Sequence, residues 1–193
     1  MPRKKVHSEE KEPILEKFLS WLRFRKIDKY IKPESVLLDL GCGFKGNFLK
    51  SVENKIARGV GLDISVEKNL YSAKLKLIEH NLNNPLSFLE NEFDTFVFLA
   101  NLEHLDEPKQ VLAEIYRVLK PKGKLLLTAP SVYAKPVLEF LATIGFVSRQ
   151  EIKDHKNYFN KKILLDLSRK SGFSFVQHKY FQMGMNNFLI AIK

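Results

Sequence analysis

Residues 93–100, FDTFVFLA, form a nearly continuous apolar run. A strand with one face in water alternates polar and apolar side chains, so an unbroken run belongs to a strand covered on both faces. SVLLDL (35–40) and KLLLTAP (124–130) have the same character, and ARGVGLDI (57–64) and LKLIEH (75–80) read as further strands. Helical patterns separate them: GNFLKSVEN, a short helix near VEKNLYSA (66–73), and EPKQVLAEIYRVLKPKG. The last puts Val111, Leu112, Ile115, Val118 and Leu119 on an inner face and is ended by Lys120, Pro121 and Gly123. Strands alternating with helices predict an α/β fold: a Rossmann-like, mostly parallel sheet with helices on both faces.

The ends extend this plan. ILEKFLSWLRFRKIDKYI places Ile14, Leu15, Phe18, Leu19, Leu22 and Ile27 at helical spacing, giving an amphipathic helix with a basic outer face that Pro33 stops. Residues 131–158 are long for a simple connection and are expected to hold a helix and a mobile loop. NKKILLDLSRKSGF is another helix. FSFVQHKYF and MNNFLIAIK are strands joined at QMGM, a link too short for a parallel crossover, so they form an antiparallel hairpin. At 193 residues one domain is expected over 33–193, preceded by a tail and capping helix over 1–32 and carrying 131–158 as a substrate-side insertion.

The net charge of +10 is unevenly placed. Residues 1–32 carry ten basic and five acidic side chains, and residues 145–193 carry nine and three, while the centre is near neutral. Basic flanks suit nucleic acid, an anionic membrane surface or an acidic small substrate, or merely aid solubility. No apolar run reaches membrane-spanning length and the first residues lack an apolar secretory segment. The single cysteine, Cys42, excludes an internal disulfide, and a reducing cytoplasm is the simplest compartment. No histidine is paired with cysteine at zinc-ligand spacing, so no metal is expected. Nothing in the sequence speaks to oligomeric state.

The turn after the first strand reads DLGCGFKG, residues 39–46. Its last six letters fit G-x-G-x-x-G, a pattern that also arises by chance. Gly41 and Gly43 let the backbone bend and approach a ligand closely. In an open α/β sheet the ligand lies beyond the carboxyl ends of the strands. Asp63 ends the second strand, where a carboxylate can accept both hydroxyls of an adenosine ribose. Asp39 separates the candidate ligands: it would repel a pyrophosphate, which dinucleotide enzymes place on helix amides. S-adenosylmethionine has no phosphate and carries a sulfonium and an ammonium.

With VLLDLGCGFKG, VGLDIS, HNLNNPLSF, FDTFVFLANLEHLDEP and VLAEIYRVLKPKGKLLLTAPS in this order, the chain resembles class I S-adenosylmethionine-dependent methyltransferases. The closest group is the small-molecule type 11 and ubiquinone-biosynthesis-like one. The resemblance covers roughly residues 33–131 and implies a seven-stranded sheet with an antiparallel last strand. It further implies that Asp39, Gly41 and Gly43 surround the methionine part of S-adenosylmethionine, that Asp63 takes the ribose hydroxyls, and that Ile64 packs on the adenine. Asn81 stands where the family usually has an aspartate for the adenine amino group, with Leu82 offering a backbone amide. Leu99, Ala100 and Asn101 would face the methionine end and the substrate. The family often has a third glycine at Lys45, here displaced to Gly46, so Lys45 must point to solvent.

Methyl transfer needs alignment and dryness more than a catalyst, and a base only where the acceptor must lose a proton. His104 is the candidate base, with Glu103 beside it; the plainer role for His104 is ordering the loop and capping the next helix. Tyr133, His155 and Tyr158 are candidates for the acceptor pocket, or plain lid packing. Cys42 reads as a small residue that fits the turn, and Asp106 and Glu107 as helix-start acids. Trp21 and Phe24 could touch an apolar acceptor. The expected reaction is methyl transfer to a small organic acceptor, with anionic or membrane-associated compounds as first candidates. The alternatives are an RNA methyltransferase using the basic flanks, an NAD(P)-dependent oxidoreductase, and a non-catalytic S-adenosylmethionine binder.

Overall fold

The computed structural model describes residues 14–67 and 72–193. The polar tail before Ile14 and much of the helix expected near 66–73 lie outside the described residues. Seven strands, β1 (Val36–Leu40), β2 (Arg58–Asp63), β3 (Leu75–Glu79), β4 (Phe93–Leu99), β5 (Leu119–Pro130), β6 (Phe175–Phe181) and β7 (Asn186–Ile192), form one sheet in the order β3-β2-β1-β4-β5-β7-β6. Pairing is parallel from β3 through β5. Strand β7 runs antiparallel to both neighbours, inserted between β5 and β6 as the second arm of the expected hairpin. The strand order reverses between β1 and β4, and the crevice of such a sheet lies at that switch point.

Both faces of the sheet are covered, as the apolar runs require. Leu37, Val97, Leu126 and Ile190 are buried on one face with Leu49 and Val52 of α2 (Asn47–Val52) and with Ile27 of α1 (Ile14–Asp28). Leu38, Phe96, Phe98, Leu125 and Leu127 are buried on the other with Leu112 and Ile115 of α3 (Pro108–Val118) and Leu164 of α6 (Lys161–Lys170). Neighbouring positions along one strand thus feed opposite cores, which is why no polar alternation survives in β4.

Several boundaries differ from expectation. Helix α1 ends at Asp28, ahead of Pro33, where Tyr30 and Ile31 amides bond back to the carbonyls of Ile27 and Asp28. Its Phe18 is 53% exposed, so the inward stripe is narrower than the apolar spacing implied. Helix α3 has no loop after it. Leu119 pairs at once with Phe93, and the register then shifts so that Lys124 faces Thr95. Lys120, read as a helix stop, instead reaches the Asp94 carboxylate at 2.9 Å. Residues 131–158 hold two helices, α4 (Ala134–Thr143) and α5 (Arg149–Lys153), where one was expected.

Candidate functional site

The chain turns sharply at the end of β1. Gly41 and Gly43 adopt φ of 76° and 73°, a region strained for any residue with a Cβ. Gly41 also has no room: a Cβ there would lie 2.1 Å from Nδ2 of Asn101. Asn101 is buried over the turn, and its amide donates to the carbonyls of Gly41 at 3.1 Å and Leu99 at 2.8 Å. This bond locks the end of β4 to the end of β1. Gly43 is the opposite case, since a Cβ there would meet nothing within 4 Å. Its open side faces a cavity.

Asp63 is buried at the end of β2, and its carboxylate accepts the amides of Gly43 at 2.9 Å and Ile64 at 2.7 Å. Two amides leave acceptor capacity on a carboxylate, and Asp63 lines the cavity. Asp39 is 1% exposed, and one of its carboxylate oxygens, Oδ2, has no hydrogen-bond partner. Burial first, and then the neighbouring Asp63 charge, push the Asp39 carboxyl up to about 8. Two carboxylates beside one glycine turn make a crevice that favours a cation and opposes a phosphate.

A cavity of about 300 Å³ opens above Gly41, Gly43 and Asp63. A second, of about 410 Å³, adjoins it on the side of Asp39 and shares Gly41, Gly43 and Leu99. Helix α1 crosses both, presenting Ser20 and Arg23 to each. Gln182 donates to the Leu19 carbonyl, and Glu16 accepts from the Ser148 amide, tying α1 across the opening. Leu138 and Leu141 of α4 and Val147 and Ile152 beyond it form an apolar wall.

The other wall is polar. A single 3₁₀ turn, Leu102–His104, follows β4 and places Glu103 and His104 on the cavity. The Glu103 carbonyl accepts the amides of Lys156 and Asn157, bringing His155 alongside, and the His104 and His155 ring centroids are 4.9 Å apart. Ligand atoms of Glu103, His104 and His155 lie within 4.8 Å of one another. Nδ1 of His104 donates to the Asp154 carbonyl at 3.1 Å, and Nδ1 of His155 lies 3.1 Å from the Tyr158 hydroxyl. Burial, then the charges of Glu139 and Glu103, push that hydroxyl up to about 12.

Other expected residues fall elsewhere. Tyr133 is 65% exposed and packs on Tyr180, so it does not line the cavity; the next residue, Ala134, does. Tyr158 reaches the site through His155, and Phe24 packs on Phe48 beside the Asp39 cavity. Ile64, Asn81 and Leu82 line neither cavity. Asn81 is exposed and its side-chain oxygen accepts the Asn83 amide in a local turn, while Leu82 is buried in the core. Lys45 is exposed, as the turn demands. The Cys42 thiol is buried and held well above its ordinary range, chiefly by burial, then by Asp39 and Asp63, which makes it a packing group. Asp106 pairs with Lys156 instead of serving the α3 dipole.

Residues 38–127 match the family model described as a methyltransferase domain, type 11. Over this stretch, just under half of its length, the chain is similar to the class I S-adenosylmethionine-dependent methyltransferases. It is 32% identical over 117 residues to a ubiquinone/menaquinone biosynthesis C-methyltransferase of Desulfotalea psychrophila, covering 52% of this chain and 48% of that protein. To a demethylmenaquinone methyltransferase of Lactococcus lactis it is 29% identical over 171 residues, covering 74% and 67%. It thus spans about half the length of the first of these relatives. Among solved structures, a Haemonchus contortus phosphoethanolamine N-methyltransferase in complex with S-adenosyl-L-methionine shares the fold, with a TM-score of 0.69 at 17% identity over 90% of this chain and 52% of that one.

The cofactor of this family is S-adenosylmethionine, and the crevice fits it. The partnerless Oδ2 of Asp39 suits an ammonium, Asp63 keeps acceptor sites for a ribose, and the open side of Gly43 allows close approach of a ligand. Sequence reasoning missed Glu16, Arg23 and the apolar wall, because no local pattern signals that α1 and α4 meet over the glycine turn.

Proposed function

We propose that the chain methylates a small amphiphilic acceptor, using S-adenosylmethionine held along the ends of β1 and β2. The observation that carries this is the buried Asp39 carboxylate, with a partnerless oxygen, beside a turn open to a cavity. Asp39 would hold the cationic methionine end and Asp63 the ribose. When bound, the cofactor supplies a methyl carbon activated by its sulfonium leaving group. Asn101 fixes the turn and so the position of whatever rests on it. Helix α1 acts as a cap that excludes water, and α4 and α5 belong to an acceptor-side insertion.

The apolar wall of Leu138, Leu141, Val147 and Ile152 suits an apolar body, and Arg23 supplies a positive charge for an anionic group. Both curated relatives described above bear quinone-pathway names, in keeping with an acceptor of this kind. The acceptor's reacting atom would face Glu103, His104 and His155, the end of the cavity at which a proton can be taken up. Among the described residues no helix is long and apolar enough to cross a membrane. Yet α4 exposes Val137 and Phe140, with Ile144 and Phe146 just beyond, so contact with a membrane surface is consistent with this acceptor class.

Incubating the chain with methyl-labelled cofactor and fractionated metabolite extracts tests the reading directly. Label should appear in an amphiphilic small molecule; label in structured RNA would favour the RNA reading, and none anywhere the non-catalytic binder. Asp63→Ala should raise the cofactor dissociation constant about ten-fold or more, since charge-assisted bonds to the ribose are lost. Unchanged calorimetric affinity would remove Asp63 from the site. Tight binding of NAD would return the oxidoreductase reading.

A further inference from the structure

Glu103, His104 and His155 are more than a polar cavity wall: we propose that they form a site for a divalent transition metal, zinc or a close neighbour, with open coordination positions facing the acceptor. The three groups come from two segments about fifty residues apart, so sequence spacing gave no zinc pattern and no metal was expected. The tertiary structure brings the three side chains together. Two imidazole nitrogens and one carboxylate are a borderline donor set, suited to zinc and to first-row metals more than to calcium or magnesium.

The geometry is close to that of a filled site. Ligands held about 2.0–2.2 Å from a tetrahedral ion are about 3.3–3.6 Å apart, so the 4.8 Å envelope of the three atoms asks a pair of side chains to close by about an ångström, within reach of rotamer adjustment. Metal-bound histidines usually pass their other ring nitrogen to a carbonyl, carboxylate or water, which fixes the ring. Nδ1 of His104 donates to the Asp154 carbonyl, and Nδ1 of His155 sits by the Tyr158 hydroxyl, so each ring is held in place from its Nδ1 side. The two segments are clamped by the Lys156 and Asn157 amides on the Glu103 carbonyl and by the Asn157 side chain on the Leu105 carbonyl. The site is therefore held ready before an ion arrives.

Glu103 is 2% exposed, and a divalent ion beside a buried carboxylate offsets part of its lost solvation. All three residues line the cavity, so positions not taken by protein open onto the place where an acceptor would rest. An acceptor hydroxyl or thiol coordinated there loses its proton to water more readily, as zinc-bound water does. This part rests on the methyltransferase reading; the metal site itself does not. With an ion bound, His104 is a ligand and not a base.

The test is a Co2+ titration of the full chain, tag-free and stripped with chelator, in the absence of cofactor. One Co2+ per chain should bind with visible d–d bands and be displaced by one Zn2+. His155→Ala and Glu103→Gln should each weaken binding at least ten-fold, and Tyr158→Phe, which removes only the supporting hydroxyl, should weaken it about ten-fold or more. His178→Ala, on β6, should leave it unchanged. Circular dichroism shows whether each variant is folded, and Tyr158→Phe serves if a ligand variant is not. No saturable spectrum, or binding unchanged in folded ligand variants, overturns the proposal and leaves the cluster a hydrogen-bonded one. Cofactor binding and methyl transfer are measured separately, so their failure is distinguishable from failure of the metal site.

Discussion

Asp39 shows how one buried group can couple cofactor, pH and stability. Its carboxyl sits near 8 without ligand, whereas the unfolded chain gives it an ordinary value near 4. The native state thus keeps a proton that the unfolded state has lost between those values. The stability from this group is complete below about pH 4 and falls as pH rises toward 8. Melting temperatures of the cofactor-free chain should follow that slope, and Asp39→Asn should flatten it. A cation bound beside Asp39 favours the charged carboxylate, so cofactor binding should release a proton and tighten as pH rises from 6 to 8. Calorimetry in buffers of different ionisation heat detects the release, and Asp39→Asn should abolish it.

The two turn glycines make a matched pair at the same scale. Both pay for a Cβ in backbone strain, about 1–2 kcal/mol for a left-handed residue. Gly41→Ala also drives a methyl into Asn101 and should break the lock between β1 and β4, lowering stability by more than the strain alone. Gly43→Ala meets no protein atom. It should cost only about 1 kcal/mol by denaturant melting while weakening cofactor affinity more than stability. The opposite ranking would mean that Gly43 does not face the cofactor.

Among the elements, α6 shows a local cap that sequence alone could have marked. Asn160 precedes it with extended backbone, and its side chain accepts the Ile163 amide at 2.9 Å. Asn160→Ala should cost about 1 kcal/mol, a drop of roughly 2–4 °C in melting temperature for a chain of this size. Helix α3 was legible for a different reason: Val111, Leu112, Ile115 and Val118 recur at helical spacing, and all four are buried. Within 131–158 a helix was expected but neither its bounds nor the second helix were legible, because α4 is apolar toward both the cavity and solvent and no single stripe marks it. Asn81 carries a local bond as well as its expected place in the family pattern. Its place in the family pattern suggested adenine contact; a short polar side chain in a turn also bonds nearby backbone, and here it accepts the Asn83 amide.

For the molecule as a whole, the stretch from 135 to 153 joins charge to exposed apolar surface. Val137, Phe140, Ile144 and Phe146 are exposed, and Lys135, Arg149 and Lys153 lie in the same stretch of chain. Sedimentation with vesicles rich in anionic lipid should show binding that fades with added salt, as screening predicts, and Phe140→Glu should reduce it. Absence of binding at low salt would remove the membrane surface as the route of acceptor entry.

The sequence by itself determined the sheet, its parallel direction, the closing hairpin and the glycine turn with its two acids. Each rests on patterns that span a few residues: apolar runs, helical spacing, a connection too short to cross over, and glycine where a side chain cannot fit. Only the tertiary structure decided which side chains the capping helix α1 turns to the crevice, that Asn101 locks the turn, and that His155 comes to lie beside Glu103 and His104. Those contacts join segments far apart in the chain, and their pairing is set by how whole elements pack, which no local spacing encodes.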